Sequence, residues 1–205
     1  MIVIGLTGPT GAGKSIVSGI LERNGIPVID TDKVSRLVYE KGGACLAELV
    51  DAFGEGILAP DGTLDRKALA REVFESKEHT EKLARLNSIS HRHILARVDL
   101  WLEEKKQEGH CAAAVDAPQL FESGYDKSCD FIIGVVADKD KRIERIKARD
   151  NIDTDTALAR VRSQHSDGFF EKSCSVVFHN DKSEAELEAE MAEIIEKLGR
   201  GELPR

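Results

Sequence analysis

The sequence predicts an α/β protein: a three-layer fold with a mainly parallel sheet of about five strands and helices on both faces. Three observations predict it. Five short apolar runs, residues 2–6, 26–29, 112–115, 131–136 and 176–178, have the length and content of buried strands. The stretches between them are longer and carry apolar residues at helical spacing. Several of the runs end in glycine or in an acid, Gly8, Asp30 and Asp116 among them, at the strand ends where open α/β sheets bind ligands.

The first run passes at once into Gly8-Pro9-Thr10-Gly11-Ala12-Gly13-Lys14-Ser15, which fits the phosphate-binding P-loop pattern G-x-x-x-x-G-K-[ST]. Glycines let the backbone wrap round a phosphate with N–H groups aimed at its oxygens. Lys14 supplies a point charge for β- and γ-phosphates, and the Ser15 hydroxyl is placed to join a Mg²⁺ shell. The helix opening there, with Ile16, Val17, Ile20 and Leu21 as its apolar residues, presents the positive end of its dipole to the anion and closes at Asn24-Gly25.

The second run ends in Asp30-Thr31-Asp32, where one residue is expected to cap the following helix and one acid to serve function. From Glu40 to Gly62 the strand-helix rhythm lapses into short amphipathic pieces separated by Gly42-Gly43, Phe53-Gly54 and Asp61-Gly62, as an inserted cap would. A longer helix then carries Leu83, Leu86, Ile94, Val98, Trp101 and Leu102 as a core stripe. Within it His91 and His93 stand at i, i+2 and share no helix face, so a solvated pair is expected before a metal site, with His91 on a substrate phosphate or ribose as the sharper alternative.

The third run ends in Asp116-Ala117-Pro118, an acid that can hold a Mg²⁺ water shell or simply cap a turn. After the fourth run, Arg142, Arg145 and Arg149 at i, i+3 and i+7 share one helix face. Such a face is either solvated and laced with salt bridges or turned on a phosphate. The helix leads into polar Asp150-Asn151-Ile152-Asp153-Thr154 and a short helix with Arg160, Arg162 and Gln164, the composition of an arginine-bearing lid. The last run, residues 176–178, precedes His179-Asn180 and a terminal helix that opens on a Ser183/Glu186 capping box and ends at Gly199.

Bulk properties narrow the function. The chain has 205 residues, 41% hydrophobic and 32% charged, which suits a full core. Its net charge of −8 argues against a nucleic-acid or anionic-membrane surface, since both are held by excess Lys and Arg. No apolar run approaches the ~20 residues of a membrane span, and the N-terminus has neither a charged n-region nor a cleavage site, so a cytoplasmic protein is expected. Cys45, Cys111, Cys129 and Cys174 form no C-x-x-C pair and are expected to be reduced, partly buried thiols.

At these residues the chain resembles the dephospho-CoA kinases over most of its length. The likeness runs through residues 5–15, the Val28-Ile29-Asp30-Thr31-Asp32 segment, Leu64-Asp65-Arg66, Ile89-Ser90-His91, Asp116-Ala117-Pro118-Gln119-Leu120-Phe121-Glu122, Arg149 with Arg160 and Gln164, Lys172 and Asn180. It departs from the family pattern at Pro9-Thr10, Ala12, Ile16, Arg92 and Gln119. The resemblance implies a P-loop NTPase fold as one kinase domain over 1–205, with a helical substrate-binding part at about 33–105 and a small lid at about 147–172. It implies transfer of the ATP γ-phosphoryl group to the ribose 3′-hydroxyl of dephospho-CoA, with Mg²⁺ as cofactor and no nucleic-acid or membrane partner, in a monomer. Asp32, Lys14 and Arg149 would be catalytic; Gly8, Gly11, Ala12, Gly13, Lys14, Ser15, Ile16 and Asn180 would bind ATP. Arg66, His91, Gln119 and Glu122 would bind the acceptor, and Ser15 and Asp116 would hold Mg²⁺, in part through water. Another small-molecule P-loop kinase, such as a nucleoside monophosphate kinase, is the alternative reading, and a guanine-nucleotide switch is disfavoured because no Asn-Lys-x-Asp segment is present.

Overall fold

The computed structural model describes residues 1–203. Its elements, in chain order, are β1 (Ile2–Thr7), α1 (Lys14–Arg23), β2 (Val28–Asp30), α2 (Thr31–Val38), α3 (Ala44–Phe53), α4 (Arg66–Phe74), α5 (His79–Gln107), β3 (Ala112–Asp116), β4 (Phe131–Val136), α6 (Lys139–Asp150), α7 (Thr154–Arg162), α8 (Asp167–Ser173), β5 (Val176–His179) and α9 (Glu184–Gly199). The five strands form one sheet in the order β2-β3-β1-β4-β5, with β1 parallel to both β3 and β4, and β4 parallel to β5. This is the α/β class expected, and β1 holds the central position.

The chain divides into two compact units, one made of Met1–Ile29 with the segment from Leu102 onward, the other of Asp30–Trp101. In the first, alternate strand residues Ile2, Ile4, Leu6, Ala112, Ala114, Ile133 and Val135 meet Val17, Ile20 and Leu21 of α1 and Leu187, Met191 and Leu198 of α9 in one buried cluster. A period of two in the strands against 3.6 in the helices puts these side chains on facing surfaces. The other sheet face is approached closely at glycines: a Cβ on Gly5 would stand 2.8 Å from Leu120 Cδ2, and one on Gly134 2.9 Å from Cys174 Sγ.

The second unit has its own core. Cys45, Leu49, Ile57, Leu69 and Val73 are buried together, with Tyr39, Phe53, Leu86 and Ile89 packed against them. Tyr39 also donates its hydroxyl proton to the buried Ser90 Oγ at 2.8 Å, which fixes the ring against α5.

Four sequence expectations need correction. β2 begins two residues later than the apolar run, at Val28, while the Pro27 carbonyl accepts from the Ala114 N–H at 2.8 Å. The terminal helix includes Gly199; Arg200 caps it, and Gly201 takes the left-handed φ of 75°. His93 is not a solvated group: its side chain is 22% exposed, and Nε2 lies 3.1 Å from Glu48 Oε1. Cys111 is exposed, whereas Cys45 is buried and Cys129 and Cys174 are half-buried.

Candidate active site

The loop from Gly8 to Ser15 leaves the C-terminal end of central β1 and enters α1. Its shape depends on positive φ at Gly8 (148°), Gly11 (77°) and Gly13 (92°). Space is as limiting as torsion. A Cβ on Gly8 would lie 2.1 Å from the Val135 carbonyl oxygen, and one on Gly13 would lie 2.0 Å from Asn180 Nδ2. The helix that follows begins on Gly13 with no side-chain cap and no acid in its first turn. By contrast α2, α4, α6 and α7 are each capped by an aspartate side chain, from Asp30, Asp65, Asp138 and Asp153. The α1 terminus therefore keeps a positive dipole end with no acid of its own cap or first turn to offset it.

Lys14 donates from Nζ to the Gly8 carbonyl at 3.1 Å, folding its side chain back along the loop. Ser15 is exposed at the start of α1. One turn on, Ser18 Oγ donates to Asp116 Oδ2 at 3.0 Å, which joins α1 to the end of β3, where Asp116 pairs in register with Leu6. Sequence reasoning did not single out Ser18; only its spacing of three from Ser15 hints at it.

The outer side of the loop is held by side chains from α6 and the segment after β5. Arg142, 4% exposed, donates from Nε to the Thr10 carbonyl at 3.1 Å. Half-buried Arg145 donates from Nη1 to the carbonyls of Gly11 (3.1 Å) and Ala12 (3.4 Å) and from Nη2 to that of Asn180 (3.1 Å). The buried Asn180 side chain donates to the Ala12 carbonyl at 2.8 Å. Gln164 Oε1 accepts from the Thr10 N–H at 2.9 Å and from Arg142 Nη2 at 3.3 Å. Burial pulls the Arg142 guanidinium below its ordinary pKa, opposed by Asp167, whose Oδ1 lies 3.4 Å from Nη1. The three-arginine face is thus not a solvated one: it is graded, with Arg142 buried, Arg145 half-buried and Arg149 exposed.

Arg149 ends α6. Its Nε and Nη2 donate to the two carboxylate oxygens of Asp150 at 2.8 and 3.0 Å, and Nη2 also lies 3.4 Å from Thr10 Oγ1. Arg160 of α7 donates to the same Asp150 carboxylate. These two guanidinium groups, Arg149 first, hold the Asp150 pKa down at about 2. Asn151 follows at φ 50°, the single non-glycine residue with positive φ among the described residues, so the chain turns sharply between α6 and α7. On the turn after β3, Glu122 Oε1 lies 3.3 Å from His165 Nε2, whose ring stacks on Phe169 with centroids 3.8 Å apart.

Within the second unit, Asp30 is the N-cap of α2, its Oδ1 accepting from the Asp32 and Lys33 N–H groups at 2.8 and 3.1 Å. Asp32 is exposed in the first turn of that helix. Arg66 opens α4 on its Asp65 cap, its guanidinium carbon 5.3 Å from the centre of the Tyr39 ring. His91 stands one residue after Ser90 on α5, half-buried. Of the sequence candidates, Gly8 through Ile16, Asp116, Asn180 and Arg149 are gathered around one loop, whereas Glu122 is gathered with His165.

The model of the family described as dephospho-CoA kinase matches residues 2–186. The chain belongs to the dephospho-CoA kinase family. It is 38% identical over 198 residues to the dephospho-CoA kinase of Corynebacterium efficiens, covering 97% of this chain and 98% of that one. Among solved structures, a Thermus thermophilus protein superposes with a TM-score of 0.79 at 31% identity, over 96% of this chain and 97% of that one. A dephospho-CoA kinase from Campylobacter jejuni superposes with a TM-score of 0.69 at 26% identity, over 97% and 98% of the two chains. In this member of the family Arg142, Arg145, Asn180 and Gln164 are side chains that hydrogen-bond the backbone of the loop.

Proposed function

We propose that this chain transfers the γ-phosphoryl group of ATP to the ribose 3′-hydroxyl of dephospho-CoA, giving coenzyme A. The observation that carries the reading is the match to the dephospho-CoA kinase family over residues 2–186, on a chain whose P-loop is intact in residue type and backbone conformation. Phosphoryl transfer asks little covalent chemistry of a protein. It asks that donor and acceptor oxygens be held in line and that the charge spread over the transferring group be neutralised.

The roles follow from chemistry and placement. Backbone N–H groups of the segment from Gly11 to Ile16, with Gly8 shaping the turn, receive the phosphates, and Lys14 exchanges its hold on the Gly8 carbonyl for β- and γ-oxygens. Asn180 fixes the loop through the Ala12 carbonyl. Ser15 and Asp116 offer a hydroxyl and a carboxylate, a hard oxygen set that fits Mg²⁺, with Asp116 oriented by Ser18. When bound, that ion neutralises phosphate oxygens. Arg149 neutralises charge on the transferring group once it leaves Asp150. Asp32 orients and deprotonates the acceptor hydroxyl; what supports it over Asp30 is that Asp30 is engaged as a helix cap while Asp32 is exposed. Arg66, His91, Gln119 and Glu122 bind the acceptor.

No helix among the described residues is long and apolar enough to cross a membrane. The net charge of −8 argues against a nucleic-acid partner, and the reading is of a monomer working in the cytoplasm. The test is a coupled ADP-release assay offering dephospho-CoA, AMP, CMP, adenosine and pantothenate as acceptors. Dephospho-CoA should be turned over with a kcat/KM at least about a hundredfold above the others. Faster turnover of AMP or CMP would overturn the proposal in favour of a nucleoside monophosphate kinase.

A further inference from the structure

We propose that Arg142 and Arg145 are positioning residues for the nucleotide phosphates, holding three successive P-loop carbonyls so that N–H groups of the same peptides are turned to the phosphate side. The inference rests on the P-loop being the nucleotide site, and not on which acceptor the enzyme uses.

The argument starts from peptide planarity. In a trans peptide the C=O and the N–H that follows it point in opposite directions, and the described residues contain no cis peptide. Whatever fixes a carbonyl on one side of a loop fixes the next residue's N–H on the other. Arg142 Nε holds the Thr10 carbonyl at 3.1 Å, and Arg145 Nη1 holds those of Gly11 and Ala12 at 3.1 and 3.4 Å. The partner donors are therefore the N–H groups of Gly11, Ala12 and Gly13. The middle one closes the loop on the Pro9 carbonyl at 3.1 Å. Those of Gly11 and Gly13 are directed away from the arginines.

Glycine torsion alone cannot do this. Positive φ at Gly11 and Gly13 permits the peptide orientation but does not select it, because glycine populates both signs about equally. The guanidinium groups do the selecting, joined at the Ala12 carbonyl by the Asn180 side chain at 2.8 Å, and each guanidinium also polarises the peptide it holds, which makes the opposite N–H a stronger donor. They add charge as well. The Arg145 bonds above all end on carbonyls, so its positive charge is presented to the loop, and Arg142 stands buried beneath Thr10 with Asp167 at 3.4 Å as its carboxylate neighbour. A cation that reaches anionic phosphate through one peptide unit is screened little by solvent when buried.

A role confined to packing and a role toward phosphate differ in one measurable respect, the dependence on phosphate number. ATP, ADP, AMP and adenosine are titrated by calorimetry or by displacement of a fluorescent ATP analogue from the full chain and from Arg145→Gln. The variant should bind ATP about tenfold or more weakly. The loss should be smaller for ADP, smaller again for AMP and within about twofold for adenosine. Arg145→Lys, which keeps the charge, should recover part of the ATP loss but not all, since an ammonium lacks the planar fork that spans two carbonyls. If Arg145→Gln does not fold, Arg142→Lys is read in the same way. A loss equal for ATP and adenosine, or no loss for ATP in a folded variant, would overturn the proposal. A graded loss in an enzyme that phosphorylates no dephospho-CoA would leave the proposal standing and remove only the acceptor assignment.

Discussion

Replacing Gly13 by alanine tests the geometry of the loop more sharply than removing any side chain. The new Cβ would stand 2.0 Å from Asn180 Nδ2, and ordinary contact begins near 3.4 Å, so the carboxamide must withdraw by about 1.4 Å. It is not free to do so without loss. Asn180 is buried, and its Nδ2 donates to the Ala12 carbonyl at 2.8 Å, a bond that a displacement of this size breaks. A buried polar group left unpaired costs about 1–3 kcal/mol. Holding alanine at the Gly13 φ of 92° adds about 1–2 kcal/mol from the clash of Cβ with backbone. The expected destabilisation is about 2–5 kcal/mol, a large part of the roughly 5–15 kcal/mol that keeps a domain folded. The assay is urea denaturation of the parent, Gly13→Ala, Asn180→Ala and the double variant, followed by two probes so that two-state behaviour is checked. Because the Asn180 clash disappears in the double variant, Gly13→Ala should there cost only the torsional part, about 1–2 kcal/mol. Equal costs in both backgrounds, or a single variant within about 1 kcal/mol of the parent, would refute the reasoning.

Five further outcomes are expected. Lys14→Ala should abolish kinase activity without unfolding the protein, checked by ADP release beside a circular-dichroism melt, since its partner in the structure is the loop carbonyl of Gly8. Asp32→Asn should lower turnover by about 10²–10⁴ with ATP affinity little changed. Asp30→Asn should retain turnover and most of the stability because asparagine is also a good cap, while Asp30→Ala should lose about 1 kcal/mol. The Asp150 carboxyl should titrate at about 2 in a carbon-detected NMR series, and in Arg149→Ala its midpoint should rise toward the ordinary 3.8; because its folded pKa is depressed, the stability it contributes is complete above 3.8 and is lost as pH falls through about 2. At pH 8 a disulfide reagent should label exposed Cys111 first, because burial pushes the Cys45 and Cys174 thiols up to about 11 and that of Cys129 to about 12; fast labelling of Cys45 would contradict its packing against α4.

The sheet was legible because each strand announces itself in its own residues. Ala112-Ala113-Ala114-Val115 has no polar side chain to expose, and the structure buries all four. The α2 cap was half legible: Asp30 and Thr31 were equal candidates by type, and only the backbone decided, since Thr31 already lies inside the helix. What sequence could not show is contact at long range. Ser18 is one of many serines in polar positions until β3 brings Asp116 within 3.0 Å of it. Likewise His93 has a helical neighbour set that suggests solvent, and the carboxylate that occupies it comes from Glu48 on a different helix.

The arginine face shows where periodicity stops being informative. Spacing of i, i+3, i+7 states that Arg142, Arg145 and Arg149 share a side of α6, but it carries no information about what that side meets. The ordinary reading of such a face, solvated and laced with salt bridges, expects carboxylates as partners. The structure ends the Arg145 bonds on backbone carbonyls and gives Arg142 the Thr10 carbonyl beside Gln164 and Asp167, and a carbonyl belongs to every residue, so no residue type marks it. The same holds for Asn180, whose side chain reaches the Ala12 carbonyl across 168 positions of sequence. A P-loop motif is read from glycines, lysine and serine, yet its backbone is held from outside by side chains that grip its main chain. Motif residues are therefore legible alone, and the residues that hold them in working shape become visible only when the fold brings β5 and α6 against the loop. The Gly13→Ala and Arg145→Gln variants probe the two halves of that arrangement, one from within the motif and one from without.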